Sequence, residues 1–268
     1  MKKQETRVAV ITGASSGIGY AIAKELSSHG FSVYDISRTV QKHDEVKKAY
    51  ACNVNDTEKM DSILKEIFET EGKINVFINN AGFGIAGAVE NASREKIYAL
   101  VETNLSAVMA LSGIAVKYLK QTGGGNIINI SSVGGIIPLP YQAVYSATKA
   151  GVDIFSRALA NEVKGFNIKV TSILPGDTQT SFTKNRIIEN TAQDEEYKKS
   201  VEKSIKKAEK EEINGAKPEK VAKVVYKVLC KKNPPLRKTV GFSYKLIVLA
   251  EKILPIRFVN YLVRKLYI

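Results

Sequence analysis

The chain has 268 residues, a formal net charge of +13 and 44% hydrophobic residues. This length suits a single α/β unit whose core needs no disulfide support. The two cysteines, Cys52 and Cys230, lie far apart without a CxxC pair or a histidine-rich neighbourhood. We therefore expect no disulfide framework, no metal site and a reducing, cytoplasmic location.

Two expectations concern membranes and export. The first apolar run, residues 8–11, is too short for the core of an export signal. The longest uncharged stretch, residues 121–148, is interrupted by Gly, Asn, Ser and Pro and is therefore no membrane span. We expect no other segment to be apolar for long enough.

Apolar runs alternate with amphipathic stretches along most of the chain. Strands are predicted at 8–11, 32–36, 74–78, 126–130 and 168–174, and helices at 18–26, 56–69, 94–119, 143–163 and 218–230. The strands lack period-two alternation, which favours burial on both faces. The pattern predicts a doubly wound parallel sheet with helices on both faces, spanning residues 1–232. A basic amphipathic extension, residues 233–268, is expected to pack on the same domain.

A glycine-rich turn follows the first predicted strand and opens the first predicted helix. Its sequence from Thr12 to Gly19 is T-G-A-S-S-G-I-G, with the spacing G-x-x-x-G-x-G. Glycines permit a sharp turn and let a pyrophosphate approach the N–H groups at a helix start. A turn without ligand is the alternative, but its position at the start of an α/β chain favours a cofactor. The predicted contacts are Gly13, Ser15, Ser16, Gly17, Ile18 and Gly19.

The end of the second predicted strand bears on the choice between NAD and NADP. An acid is usual there, to bind the adenosine ribose, but Ser37 and Arg38 occupy the expected position. A hydroxyl and a guanidinium suit a 2′-phosphate, which an acid would repel. The alternative is that Asp35 serves as the ribose acid after a two-residue shift, and NADP is the favoured prediction.

A tyrosine and a lysine stand four residues apart at the start of a predicted helix. This spacing places Tyr145 and Lys149 on one helix face. A free phenol has a pKa near 10, so a nearby positive charge is needed before it can exchange protons at neutral pH. Ser132, 13 residues upstream, follows a buried strand and could polarise a carbonyl oxygen. Alone, a Tyr–Lys pair is more often ordinary surface.

Taken together and in order, these motifs resemble the short-chain dehydrogenase/reductase family. The similarity covers residues 7–180 and adds Asn79-Asn80-Ala81-Gly82, Asn104, Ser131-Ser132 and Pro175-Gly176 with Thr180. The resemblance implies a Rossmann-type fold and hydride transfer between NADP(H) and a carbonyl/alcohol pair. NADP-dependent hydroxysteroid dehydrogenases and ketoreductases are the most similar members.

The resemblance also implies a role for each matching residue. Ser132 would orient the carbonyl, Tyr145 would exchange the proton, Lys149 would hold the nicotinamide ribose, and Asn104 would anchor a water relay. The remaining cofactor contacts that it implies are Asn53, Val54, Asn80, Ala81, Gly82, Pro175, Gly176, Thr178 and Thr180. Asn53 and Asn75 depart from the family pattern, which more often has acids there. The amide of Asn53 still offers adenine an acceptor, whereas Asn75 has no functional explanation.

The expected substrate is a hydrophobic carbonyl or alcohol, because the implied cleft is apolar. Its predicted lining is Phe83, Ile85, Val133, Ile136, Ile137, Leu139 and Tyr141. Steroid-like compounds, fatty ketones and 3-oxoacyl thioesters all remain open. Arg186 and the lysines from Lys198 onward could meet an acidic substrate, although a solvated helix is the favoured interpretation. An NADP-binding regulatory protein with little catalysis is a further alternative, which the intact Ser132–Tyr145–Lys149 set disfavours.

The last predicted elements are two short amphipathic helices separated by Pro255. Residues 231–268 contain nine Lys or Arg and one acid, Glu251. The segment 244–268 could lie on an anionic membrane, cover the cleft or bury against a second subunit, and packing is favoured. We expect no nucleic-acid partner, because the basic residues belong to no recognisable reading element. The family resemblance implies a homodimer or homotetramer.

Overall fold

A parallel sheet of seven strands forms the centre of the computed structural model, which describes residues 6–189 and 195–268. The strand order is β3-β2-β1-β4-β6-β7-β9, and neighbouring strands run parallel. These strands are β1 (Arg7–Thr12), β2 (Phe31–Ser37), β3 (Lys48–Ala51), β4 (Val76–Asn79), β6 (Gly125–Ile130), β7 (Ile168–Leu174) and β9 (Arg237–Thr239). Two short strands, β5 (Ile85–Gly87) and β8 (Ile187–Glu189), pair separately beside this sheet.

Nine α-helices lie in the described part of the chain. They are α1 (Gly17–Ser28), α2 (Thr57–Glu71), α3 (Arg94–Val101), α4 (Ala107–Gln121), α5 (Ala143–Glu162), α6 (Glu195–Ile213), α7 (Pro218–Leu229), α8 (Phe242–Ile253) and α9 (Ile256–Tyr267). One face of the sheet packs on α2, α4 and α5, and the other packs on α1 and α7. The predicted doubly wound architecture is confirmed.

The central strands are apolar on both faces because helices cover both sides of the sheet. Residues 8–11 of β1 have no exposed surface, and residues 76–78 of β4 are equally buried. Several polar side chains inside this core bond to one another: Asn79 donates to Ser112 and Asn129, and Asn129 in turn donates to Ser156. Burial without such partners would be costly.

Asn75, which had no functional explanation, has a structural one. Its side-chain oxygen accepts a hydrogen bond from the Val8 N–H at 2.8 Å. Its own N–H donates to the Val8 carbonyl, and its carbonyl accepts from Asn126. Asn75 therefore joins the beginnings of β1, β4 and β6.

The long helix predicted at 94–119 is interrupted by one π-helical turn. α3 and α4 are joined by a π-helical turn, Glu102–Ser106, that holds the buried Asn104. By length and composition alone, the helix Arg94–Gln121 could cross a membrane, which contradicts our expectation that no other segment is apolar for long enough. Within the fold this helix packs against α2, α5 and the sheet.

The chain ends in a helical hairpin, α8 and α9, that packs beyond the carboxyl edge of the sheet. Its inward side chains Val248, Val259 and Val263 are buried against Val133, Ile137 and Leu174. Gly176 lies directly beneath the ring of Tyr244, because a Cβ there would fall 2.2 Å from the ring. The hairpin therefore closes over the loop that follows β7.

Candidate active site

The turn after β1 has the backbone that a phosphate-binding site requires. Gly13 and Gly17 have φ angles of 72° and 57°, in the region that favours glycine. A Cβ on Gly19 would lie 2.2 Å from the Gly13 carbonyl oxygen, so α1 can approach the turn only with glycine there. No side chain caps the start of α1 at Ser16, which leaves its first N–H groups available to an anion.

Asn80 fixes the shape of this turn from the neighbouring strand. Its side-chain amide donates to the carbonyls of Thr12 and Gly13, both at 3.0 Å. The hydroxyl of Thr12 accepts from the N–H groups of Asn80 and Ala81. The Asn80-Ala81-Gly82 segment is thus held against the glycine turn as well as facing the cavity.

The side chain of Asp35 is fully buried and turned toward the glycine turn. Its Oδ1 accepts from the Ala14 N–H at 2.8 Å and from the Ser37 hydroxyl at 2.7 Å. Burial raises the pKa of this carboxyl, which these two donors partly offset. Arg38, next along the chain, is exposed at the rim of the cavity.

One cavity of about 1030 Å³ runs from the glycine turn past Tyr145 to the terminal hairpin. It is lined by each predicted cofactor residue except Gly19, which lies beneath the turn. Thr180 crosses over to contact Gly17, where a Cβ would meet its side chain at 3.4 Å. The residues and the space therefore fit a dinucleotide.

The predicted catalytic side chains meet in the middle of this cavity. Ser132, Tyr145 and Lys149 all line it. The Lys149 ammonium lies 5.8 Å from the centre of the Tyr145 ring and donates to the Ile130 carbonyl at 3.0 Å. The Ser132 oxygen accepts from the Gly134 N–H, which fixes its position at the end of β6.

Burial moves the pKa values of Tyr145 and Lys149 in opposite directions. It raises the pKa of Tyr145 to about 12, an effect that a hydrogen bond with Ser132 opposes. Burial also lowers the pKa of Lys149 to about 8. Each shift has the same physical cause, since a low-dielectric environment disfavours the charged form of either group.

Asn104 is fully buried and does not line the cavity. Its amide donates to the Phe83 carbonyl and accepts from the Phe83 N–H, at 2.8 and 3.0 Å. A Cβ on Gly82 would lie 3.0 Å from this amide oxygen and 3.6 Å from Lys149 Nζ. Asn104 therefore positions the Gly82–Phe83 backbone beside Lys149, and the water relay stays a prediction.

The predicted substrate lining is partly corrected. Phe83, Val133, Ile137 and Leu139 line the cavity, but Ile85, Ile136 and Tyr141 do not. Ile85 instead packs beside Leu100 and Tyr145, Ile136 packs toward the hairpin cluster, and Tyr141 packs near α6. In each case the side chain faces a neighbouring element instead of the open space.

Several lining residues were missed by sequence reasoning because they come from distant segments. Phe182 lies 5.7 Å from Tyr145 between ring centres. Asp177 and Glu212 bring carboxylates to the same cavity. The hairpin adds Tyr244, Ile247, Ala250, Glu251, Leu254, Val259, Leu262, Val263, Leu266 and Tyr267. An amphipathic pattern marked the hairpin, but no local signal showed which surface it covers.

Arg186 is neither solvated, as the favoured interpretation expected, nor free to meet an acidic substrate, the alternative. Its side chain has no exposed surface and forms an ion pair with Glu212. The Thr183 hydroxyl donates to the other Glu212 oxygen at 2.6 Å. These bonds join α6 to the segment before β8.

Comparison with known proteins decides the family. Residues 7–191 match the family model of the short chain dehydrogenases. The chain belongs to the short-chain dehydrogenase family. A 3-ketodihydrosphingosine reductase of Bacteroides thetaiotaomicron is 38% identical over 98% of both chains. A 3-oxoacyl-acyl-carrier-protein reductase of Haemophilus influenzae is 36% identical over 66% of this chain and 76% of its own.

A solved structure gives the same result. A short-chain dehydrogenase from Streptomyces avermitilis superposes with a TM-score of 0.83 at 27% identity, over 96% of this chain and 95% of its own. As a short-chain dehydrogenase, the chain is an oxidoreductase that acts on a carbonyl/hydroxyl pair. Ketone reduction is the activity that its named relatives support.

Replacing Tyr145 by Phe should preserve cofactor binding and nearly abolish turnover. The ring still fills its place beside Phe182, but the proton donor is lost, and such groups contribute about 10²–10⁴-fold to rate. Steady-state kinetics and a cofactor titration by fluorescence would measure both effects. Tyr50→Phe, on β3 at the far sheet edge, is the matched control, and equal turnover in the two variants would contradict the role of Tyr145.

The buried Lys149 should give the cofactor-free protein a specific dependence of stability on pH. Because its folded-state pKa of about 8 lies below the ordinary 10.5, the unfolded chain binds this proton more tightly. The cost of burying the charge is present in full below pH 8 and falls as the pH rises toward 10.5. Lys149→Met should therefore exceed the original protein in unfolding free energy at pH 7, with a smaller difference at pH 9.5.

Urea unfolding at both pH values measures this difference. Lys24→Met, at an exposed position of α1, is the control and should show no comparable change with pH. If the difference in unfolding free energy between Lys149→Met and the original protein were the same at both pH values, the pKa of Lys149 would not be lowered in the folded state.

Proposed function

We propose that the chain reduces a ketone on a long apolar substrate, with NADPH as the electron donor. The observation that carries this proposal is the continuity of the cavity. Its polar end lies at the glycine turn, its middle holds Tyr145, and its far end is walled by the apolar hairpin. A long aliphatic ketone fits this change from polar to apolar lining along the cavity better than a small polar ketone.

The described residues supply the other parts of the reaction. When bound, a nicotinamide cofactor supplies the hydride. Ser132 orients the carbonyl oxygen, and Tyr145 donates the proton that turns the developing alkoxide into an alcohol. The Lys149 ammonium stabilises the phenolate that remains, since opposite charge lowers the pKa of a phenol. Phe182 and the hairpin exclude water from this exchange.

Two observations support NADP over NAD. Asp35, the alternative ribose acid, is buried and its Oδ1 is already bonded to Ala14 and Ser37. Ser37 itself donates to that carboxylate, so its contribution to a 2′-phosphate is smaller than the sequence suggested. Arg38 is exposed at the cavity rim, where its guanidinium can form two parallel hydrogen bonds with a phosphate.

Replacing Arg38 by Ala should lower kcat/KM for NADPH by about 10–100-fold, the usual loss for a hydrogen bond to a charged group. The value for NADH should change little, because NADH has no 2′-phosphate. Initial rates with both cofactors give the comparison, and Arg94→Ala on α3 is the matched control. A preference of the original protein for NADH would overturn the NADP assignment.

The choice of ketone depends on two carboxylates. Asp177 and Glu212 line the cavity that holds Tyr145, and their charges raise the pKa of its phenol. Arg186 neutralises Glu212, whereas Asp177 is bonded only by the Tyr244 hydroxyl among the described side chains. A carboxylate there favours a substrate with an ammonium near its ketone. Together with the relative from Bacteroides thetaiotaomicron, this supports a long-chain keto amine, with 3-oxoacyl thioesters as the second candidate.

A substrate panel tests this choice directly. We expect 3-ketodihydrosphingosine to give a higher kcat/KM than a long-chain ketone without the amine or a 3-oxoacyl thioester. Asp177→Asn keeps the side-chain size and should lower kcat/KM for the amine by about 10-fold or more, since charged hydrogen bonds are the strong ones. The neutral ketone should be affected far less. A higher kcat/KM for the thioester would favour the second candidate instead.

A further inference from the structure

The outer face of the terminal hairpin is an unusually apolar surface. Eight of its large hydrophobic side chains are exposed without lining the cavity. They are Phe242, Leu246, Leu249, Ile253, Ile256, Phe258, Tyr261 and Ile268. Phe242, Ile253 and Ile256 are each at least 72% exposed. Isolated exposed apolar residues need no explanation, but a continuous group of this size does.

Helical geometry aligns the apolar side chains of α8. Phe242, Leu246, Leu249 and Ile253 follow one another at spacings of four, three and four residues, so they form one stripe along the helix. Val248 faces the opposite way and is buried against the fold. The stripe therefore points outward because the inner face is already used.

Positive charges flank this stripe. Lys245 and Lys252 stand four residues before and three residues after Leu249, and α9 adds Arg257, Arg264 and Lys265. All five are exposed, and none forms an ion pair within residues 6–189 and 195–268. The one acid of the hairpin, Glu251, lines the cavity instead.

We propose that the outer face of α8 and α9 docks on an anionic lipid surface. The apolar stripe enters the interface between headgroups and acyl chains, and the flanking lysines and arginines contact lipid phosphates. A second copy of the chain is a poorer occupant, because a two-fold contact would place these cations opposite one another. Phosphate headgroups instead neutralise them.

The same hairpin supplies the far wall of the cavity, which supports lipid as the occupant. Ile247, Leu262 and Leu266 are exposed and also line the cavity, so the outer apolar surface continues into the site. An alkyl chain can therefore enter the cavity from a bilayer beside these three side chains. The docking surface itself stands independently of the proposed substrate, and its test uses no turnover.

The chain contains no tryptophan, which allows a direct test with single probes. Ile253→Trp should show a blue shift and quenching by brominated lipid with vesicles that contain phosphatidylglycerol. Phe166→Trp is the matched probe at the amino end of β7, the end of the strands opposite to the hairpin, and should show neither. Equal responses from the two probes, or none from Ile253→Trp, would overturn the proposal.

Variants separate the apolar and the charged contributions. Leu249→Gln with Ile253→Gln should lower binding to anionic vesicles by about 10-fold or more in co-sedimentation, with the circular dichroism spectrum unchanged. Lys245→Gln with Lys252→Gln should cause a similar loss, and added salt should weaken binding of the original protein. Binding to neutral phosphatidylcholine as strong as to anionic vesicles would contradict the proposal. So would a smaller oligomer in the Gln variants without any loss of vesicle binding.

Discussion

The amide of Asn80 bonds to the carbonyls of Thr12 and Gly13, and the hydroxyl of Thr12 bonds back to the backbone of Asn80 and Ala81. These hydrogen bonds fix the ends of β1 and β4 relative to each other. These bonds hold the turn in which Gly13 and Gly17 adopt left-handed conformations. Cofactor and substrate surfaces are both built outward from that point, since β6 and β7 end at the same edge of the sheet.

Tyr145 and Lys149 lie in a low-dielectric environment that disfavours the charged form of each side chain. Burial raises the pKa of Tyr145 and lowers that of Lys149. The protein without cofactor therefore holds a neutral phenol beside a lysine that loses its proton readily.

Local signals in the sequence were sufficient for the parts of the site that lie in single segments. The glycine turn and the Tyr145–Lys149 spacing were both located correctly, because a turn and one helix face are determined within a few residues. The central strands were found within two residues of their ends. β3 and β9 were missed, since Lys48–Ala51 and Arg237–Thr239 are short edge strands without an apolar run.

Long-range contacts explain what could not be predicted. Arg186 was expected to face solvent or substrate, but Glu212 lies 26 residues further on and holds it inside the fold. The π-helical turn at Asn104 depends on the backbone of Phe83, which belongs to another segment. Amphipathic spacing identified α8 and α9, yet contacts between distant segments, such as the ring of Tyr244 above Gly176, decide that their inner side closes the site.

The last residues of the chain are part of the wall of the site. The hydroxyl of Tyr267 donates to Glu211 at 2.9 Å, and Lys203 on α6 donates to the carbonyl of Ile268. Tyr267 therefore contributes both to the wall of the cavity and to the attachment of α9 to α6, so a change there would alter the shape of the site and the position of the hairpin together.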